Sequence, residues 1–153
     1  MRKFFIYIIV ILVSACATPK QKFNYEVSSM GVGLQGTTLL KAWGEGVTEK
    51  EAIESAKQNA VKVLIFKGIP GSTDKLPIIS DPNAEEKNKD YFQTFFVKDG
   101  KYLKFVTNTN SSIPPENRLR DGRFYKIAVV LSVNRNLLIK ELESAGIIRK
   151  FGI

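Results

Sequence analysis

Residues 37–68 read TTLLKAWGEGVTEKEAIESAKQNAVKVLIFKG, and this stretch contains a strand, a helix start and a helix stop in order. Thr37 to Val47 combines β-branched, aromatic and leucine side chains and closes on Gly44 and Gly46, the composition of a strand. Thr48-Glu49-Lys50-Glu51 then has the form of a capping box, in which the Thr48 hydroxyl accepts from the Glu51 amide and the Glu51 carboxylate reaches back. Ala52, Ile53, Ala56, Ala60, Val63, Leu64 and Lys67 follow at helical spacing, and Gly68 with Pro70 supplies the stop. Ala52, Ala56 and Ala60 form one stripe of small residues, so the helix is expected to approach a sheet closely as part of the core.

Outward from this unit, Ile69 to Ser80 reads as a loop with two prolines. Asp81 caps a second expected helix with Pro82 in its first turn, and Phe92, Phe95 and Phe96 fall on one face before Gly100. Tyr91 to Lys98 is also rich in strand formers; the charged, helix-compatible run Ala84 to Asp90 upstream favours the helix. Tyr102 to Thr107 reads as a strand. Val106 to Gly122 reads as a long polar connection with paired prolines, of a length uncommon in compact domains without a function. Phe124 to Val133 alternates Tyr125, Ile127, Val129, Leu131 and Val133 onto one face. Asn134 caps a final helix carrying Leu137, Leu138, Leu142 and Ala145, which ends at Gly146. The order strand, helix, helix, strand, strand, helix indicates an α+β fold: a small antiparallel sheet with helices packed on one face.

The N-terminus has a different character. Arg2 and Lys3 precede an unbroken apolar run, Phe4 to Val13, and small Ser14 and Ala15 stand before Cys16, the single cysteine. Charge, apolar run and small residues in that order describe a cleaved export signal. The run falls well short of the roughly 20 residues a membrane-crossing helix needs. Val13-Ser14-Ala15-Cys16 resembles the lipobox of bacterial lipoproteins. That resemblance implies a diacylglycerol on the Cys16 thiol, cleavage before it and acylation of the new amine, so that residues 1–15 are signal peptide. Each buried acyl CH₂ contributes about 0.8 kcal/mol, so several chains hold the protein on a bilayer. Ala17, in place of Asp, points to the outer membrane by the sorting convention of such lipoproteins. Thr18-Pro19-Lys20-Gln21-Lys22 lacks the acidic cluster of surface-exported ones, which leaves the domain facing the periplasm. Residues 16–30 are polar and weakly patterned, a tether, and residues 31–153 form a single α+β domain.

Cleavage before Cys16 leaves 138 of 153 residues, one domain that buries about two thirds of its unfolded surface without disulfides. The full chain carries 23 basic and 15 acidic side chains; loss of Arg2 and Lys3 leaves a net +6. In the periplasm the anionic partners for that balance are lipid headgroups, lipopolysaccharide, peptidoglycan carboxylates and acidic proteins, with nucleic acid mostly absent; a basic surface also serves solubility alone. The chain has no histidine, so the commonest general base and metal ligand is missing, and lipidation would consume Cys16.

The stretches GVGLQGTTLLKAWGEG, EAIESAKQNAVKVLIFKGIPG and YKIAVVLSVNRNLLIKELESAGI look like those of small envelope lipoproteins, and more distantly of flagellum-associated outer-membrane lipoproteins. The likeness implies a strand, an alanine-rich helix and a late strand feeding a terminal helix; it carries no catalytic motif.

Other constellations carry weaker chemistry. Gly31 to Gly36 matches GxGxxG, but a strand follows where phosphate binding needs a helix N-terminus, so a glycine-rich turn or bulged strand entry fits better. Arg118, Arg120, Arg123 and Lys126 flank Asp121-Gly122 as the densest basic group. Forked guanidinium groups grip carboxylate or phosphate, although charges around a hairpin turn are more often a solvated rim. Trp43 beside two glycines could floor a ligand site; a core anchor is the commoner role for tryptophan. Ser72, Thr73 and Asp74 cannot form a Ser-His-Asp triad, Glu45 and Glu51 fall on separate elements, and Asn110-Ser111-Ser112 is a chance sequon. The expectation is a lipid-anchored, periplasm-facing, non-enzymatic interaction or assembly module without cofactor or metal, bound to the membrane by its lipid and to an envelope protein partner. The alternative is a binding module for anionic envelope glycan or lipid through Arg118, Arg120, Arg123 and Lys126, with no nucleic acid in either case.

Overall fold

The computed structural model describes residues 26–110 and 112–150, so Cys16 and the signal segment lie outside the described residues. The fold is α+β. Strands β1 (Val27–Val32), β2 (Thr38–Gly46), β3 (Val106–Asn108), β4 (Arg118–Asp121) and β5 (Phe124–Val133) form one antiparallel sheet. Its order is β1-β2-β5, and the far side of β5 is shared by β3 and β4. The helices are α1 (Glu49–Phe66), α2 (Ala84–Lys87), α3 (Lys89–Phe95) and α4 (Arg135–Ser144).

β5 is the organising strand. It pairs with β2 from Thr38↔Val133 to Gly46↔Tyr125, while Val133 to Leu131 pair with β3 and Ile127 to Phe124 with β4. Because successive strand side chains alternate faces, Leu40 and Ala42 of β2 project to the same side as Ile127, Val129, Leu131 and Val133 of β5. These residues share one buried core with Ala52, Ala56, Ala60 and Leu64 of α1, Phe92 and Phe95 of α3, and Leu138 and Leu142 of α4. Each fully buried leucine or valine contributes roughly 1.5–3 kcal/mol.

α1 begins as its sequence dictates, with Thr48 Oγ1 accepting from Glu51 N–H at 3.2 Å and Glu51 Oε2 accepting from Thr48 N–H at 3.2 Å. The alanine stripe brings it so close to β2 that a Cβ on Gly44 would lie 2.1 Å from the Ala56 nitrogen. Buried Asn59 ties the same two elements, its Nδ2 donating to the Trp43 carbonyl at 2.9 Å.

The aromatic segment is helical, as the upstream charges favour, but broken at Asn88 into α2 and α3. Asp81 closes a local turn by accepting from Asn83 N–H, and Phe92, Phe95 and Phe96 are buried. Several boundaries differ from expectation. β1 begins at Val27, inside the stretch read as tether, because Val27 to Ser29 pair with β2 although the bulge between Ser29 and Gly31 disrupts their alternation. Lys101–Phe105 is a 3₁₀ turn and the strand starts only at Val106; Tyr102 and Phe105 are buried from turn geometry. Arg118–Asp121, read as part of a loop, is a strand held by β5 through the hairpin at Asp121-Gly122. In α4, Leu138 and Leu142 are buried, while Leu137 is 48% exposed at the margin of that buried stripe.

Candidate functional site: the open face of the sheet

The side of the sheet away from α1 carries Leu39, Lys41, Trp43 and Glu45 from β2 and Lys126, Ala128, Val130 and Ser132 from β5, by the alternation that sends Leu40 and Ile127 to the core. All but buried Ala128 remain partly exposed. Ala128 stands outside the main core and is directly opposite Trp43 in the ladder.

Trp43 is the centre of this face. Lys41 Nζ lies 5.8 Å and Lys126 Nζ 5.6 Å from its ring centroid, cation–π distances from two different strands. Glu45 sits opposite Lys126 on β2, and Leu119 opposite it on β4. Phe124, two residues before Lys126, is exposed on the same face, as is Leu119. The face thus offers an aromatic plate, two ammonium groups and an apolar hairpin edge. Groups of this kind suit a partner with carboxylate or phosphate beside apolar or sugar C–H surface.

The expected basic cluster does not come together. Arg118 and Arg120 pair with Ile127 and Tyr125 and therefore project toward the α1 side, whereas Lys126 projects to the open face and Arg123 sits in the turn itself. Arg118 Nη1 is 3.4 Å from Glu49 Oε1 on α1, and the Arg120 guanidinium carbon is 5.3 Å from the Tyr125 ring. These are exposed contacts of the class that contributes 0–1 kcal/mol. Only Lys126 of the four belongs to the open face. Trp43 is likewise not a core anchor: inward positions on β2 belong to even-numbered residues, which leaves position 43 outside. Lys41, the second cation at Trp43, was not singled out from sequence; the alternation of Leu39, Lys41, Trp43 and Glu45 carried the signal, and the register that adds Lys126 did not.

Glu51 is engaged in the α1 cap, accepting from Val47 and Thr48, so it does not converge with Glu45. Asp74 accepts from Thr38 Oγ1 at 2.7 Å and faces Arg135 Nε at 3.1 Å, where the N–H is not aimed at the oxygen and the contact is ionic. This clasp joins the loop after α1 to the starts of β2 and α4. A groove of about 610 Å³ between α1 and α3 is lined by Gln58, Lys62, Glu85, Phe92 and Phe96 among others. Lys62 is shared between Glu85, at 4.0 Å, and the Phe96 ring, at 5.0 Å. Among the described residues no group of three or more Asp, Glu, His or Cys is placed to hold a metal ion, and no helix is long and apolar enough to cross a membrane.

No protein-family model matches the chain, and comparison with curated proteins and with solved structures gave no match.

Proposed function

We propose that this chain is a lipoprotein of the bacterial cell envelope, acylated at Cys16, held on the outer membrane facing the periplasm, and working as a non-enzymatic interaction or assembly module. Its docking surface is the open face of the sheet, and its partner is an envelope protein with an acidic, partly apolar surface. The supporting observation is Trp43 left partly exposed between Lys41 and Lys126 on a sheet face that α1 does not cover. An unpartnered sheet face with an aromatic centre is the composition of an interface core, where tryptophan is enriched.

In-cell crosslinking with mass spectrometry tests this. Trp43→Ala combined with Lys41→Glu and Lys126→Glu is expected to abolish crosslinks to the principal partner while the protein stays in the membrane fraction. Arg118→Ala with Arg120→Ala, on the other side of the sheet, is expected to leave them intact. An unchanged partner set in the first variant contradicts the assignment.

The two lysines at one ring also favour a second reading, an anionic envelope glycan or lipid headgroup as ligand. Retention on isolated cell walls that collapses at high salt supports it, because ionic contacts are screened beyond about 3 Å at 1 M salt. Retention that is lost once the walls are stripped of protein favours the protein partner, whose acidic surface responds to salt in the same way.

A further inference from the structure

The turn joining β1 to β2 has a composition unlike the rest of the surface. From Val27 to Leu40 the chain carries no charged residue, and Met30 and Val32 at the end of β1 and Leu34 in the turn are 55%, 66% and 88% exposed. Isolated exposed apolar side chains are ordinary; three on one projecting turn mark a contact. The same turn closes part of its own backbone. Gly33 N–H donates to the Thr37 carbonyl at 2.7 Å, while Thr37 N–H at 3.2 Å and Thr37 Oγ1 at 2.9 Å both donate to the Leu34 carbonyl. Gly31, at φ +105°, has its N–H donating to Ser29 Oγ at 3.2 Å. Uncharged apolar side chains on a turn that partly closes its own hydrogen bonds suit the headgroup–acyl boundary, where the remaining polar groups, Gln35 among them, still meet water and headgroups. Leu76, 69% exposed, lies on the loop that reaches the same end of the sheet through the Asp74–Thr38 hydrogen bond, with exposed Lys75 beside it.

We propose that this tip, led by Leu34, Val32 and Met30, inserts into the interface of the bilayer that holds Cys16; the proposal rests on the lipid-anchor reading. Reach permits it. Residues 17–26 separate Cys16 from β1 and span up to about 35 Å when extended, whereas β1 itself measures about 20 Å. The tether can therefore run back along β1 and bring its far end onto the membrane. Lys75 at the margin suits phosphate headgroups, and apolar side chains driven into the headgroup–acyl boundary add a second hold to the acyl chains. With the tip down, β2 and β5 stand up from the bilayer and Trp43 looks sideways along it.

The test uses the full acylated chain reconstituted in phosphatidylethanolamine–phosphatidylglycerol vesicles. Nitroxides are attached in two variants, Leu34→Cys at the tip and Val47→Cys at the opposite end of β2, both at exposed positions. The label at 34 is expected to collide with oxygen and to be shielded several-fold from a water-soluble nickel complex, with the reverse at 47. Equal nickel access at both positions on vesicle-bound protein overturns the tip contact and leaves the anchor standing. Labelling of the unsubstituted chain at Cys16 reveals a free thiol and overturns both.

Discussion

Tyr91 shows how a single side chain makes this fold sensitive to alkaline pH. Its ring packs edge-on to Phe92 and stacks on Phe95, with centroids at 5.1 and 5.6 Å. Its hydroxyl donates to Glu141 Oε1 at 3.4 Å, the carboxylate that Lys101 also pairs with. Burial, reinforced by the negative charge of Glu141, pushes the phenol from 10.0 up to about 12. A raised folded-state pKa means the folded protein holds the proton more tightly, so the stabilisation is complete below pH 10 and lost as pH climbs toward about 12. The stability difference between wild type and Tyr91→Phe, from urea midpoints, is therefore expected to shrink across that window. Parallel curves would show that the phenol contributes nothing there. Legibility at this scale was uneven. Phe92, Phe95 and Phe96 announced a buried face by spacing, whereas the meeting of Tyr91 with Glu141 depends on α4 packing against the aromatic segment, which local pattern does not encode.

At the scale of elements, the contact between α1 and β2 determines the architecture. Ala52 and Ala56 have no side chain beyond Cβ and Gly44 has none at all, so helix and strand backbones nearly touch. Gly44→Ala would place a methyl group 2.1 Å from the Ala56 nitrogen and 2.2 Å from the Ala52 carbonyl oxygen. Both are backbone atoms of a capped helix, which cannot move aside singly. The expected cost is about 3 kcal/mol, at the upper end for overpacking. Chemical denaturation measures it, and a loss under 1 kcal/mol would mean that α1 shifts as a body. The close approach was legible in advance because the alanine stripe is a local signal; that Gly44 receives it was not, because the two glycines read only as the end of a strand. The strands β1, β3 and β4 were misread or missed for the opposite reason: each is short, irregular or polar, and exists because β2 or β5 offers an open ladder. Arg118 and Arg120 illustrate the consequence. In a loop they could have gathered with Lys126, but strand alternation sends them to the other side of the sheet, and the site moves to a tryptophan expected to be core.

For the whole molecule, the described domain offers two surfaces with different chemistry. The open sheet face is aromatic and cationic, and the β1–β2 tip is apolar and uncharged. An anchor at Cys16 would give both a purpose, one turned toward a partner in the periplasm and the other toward the bilayer. The α+β class followed from the order of periodic segments, since long amphipathic elements declare themselves. Which face lay open did not, because that depends on the pairing of β2 with β5 across some 80 residues of chain. The reading of the first sixteen residues as a lipoprotein signal is carried by their order alone, and the account of the molecule at a membrane begins from it. Intact-mass spectrometry of the protein extracted from membranes addresses it directly. The expected mass is that of a chain starting at Cys16 with a diacylglyceryl group and an amide-linked acyl chain; residues 1–15 still attached, or an unmodified Cys16, would contradict the lipid anchor.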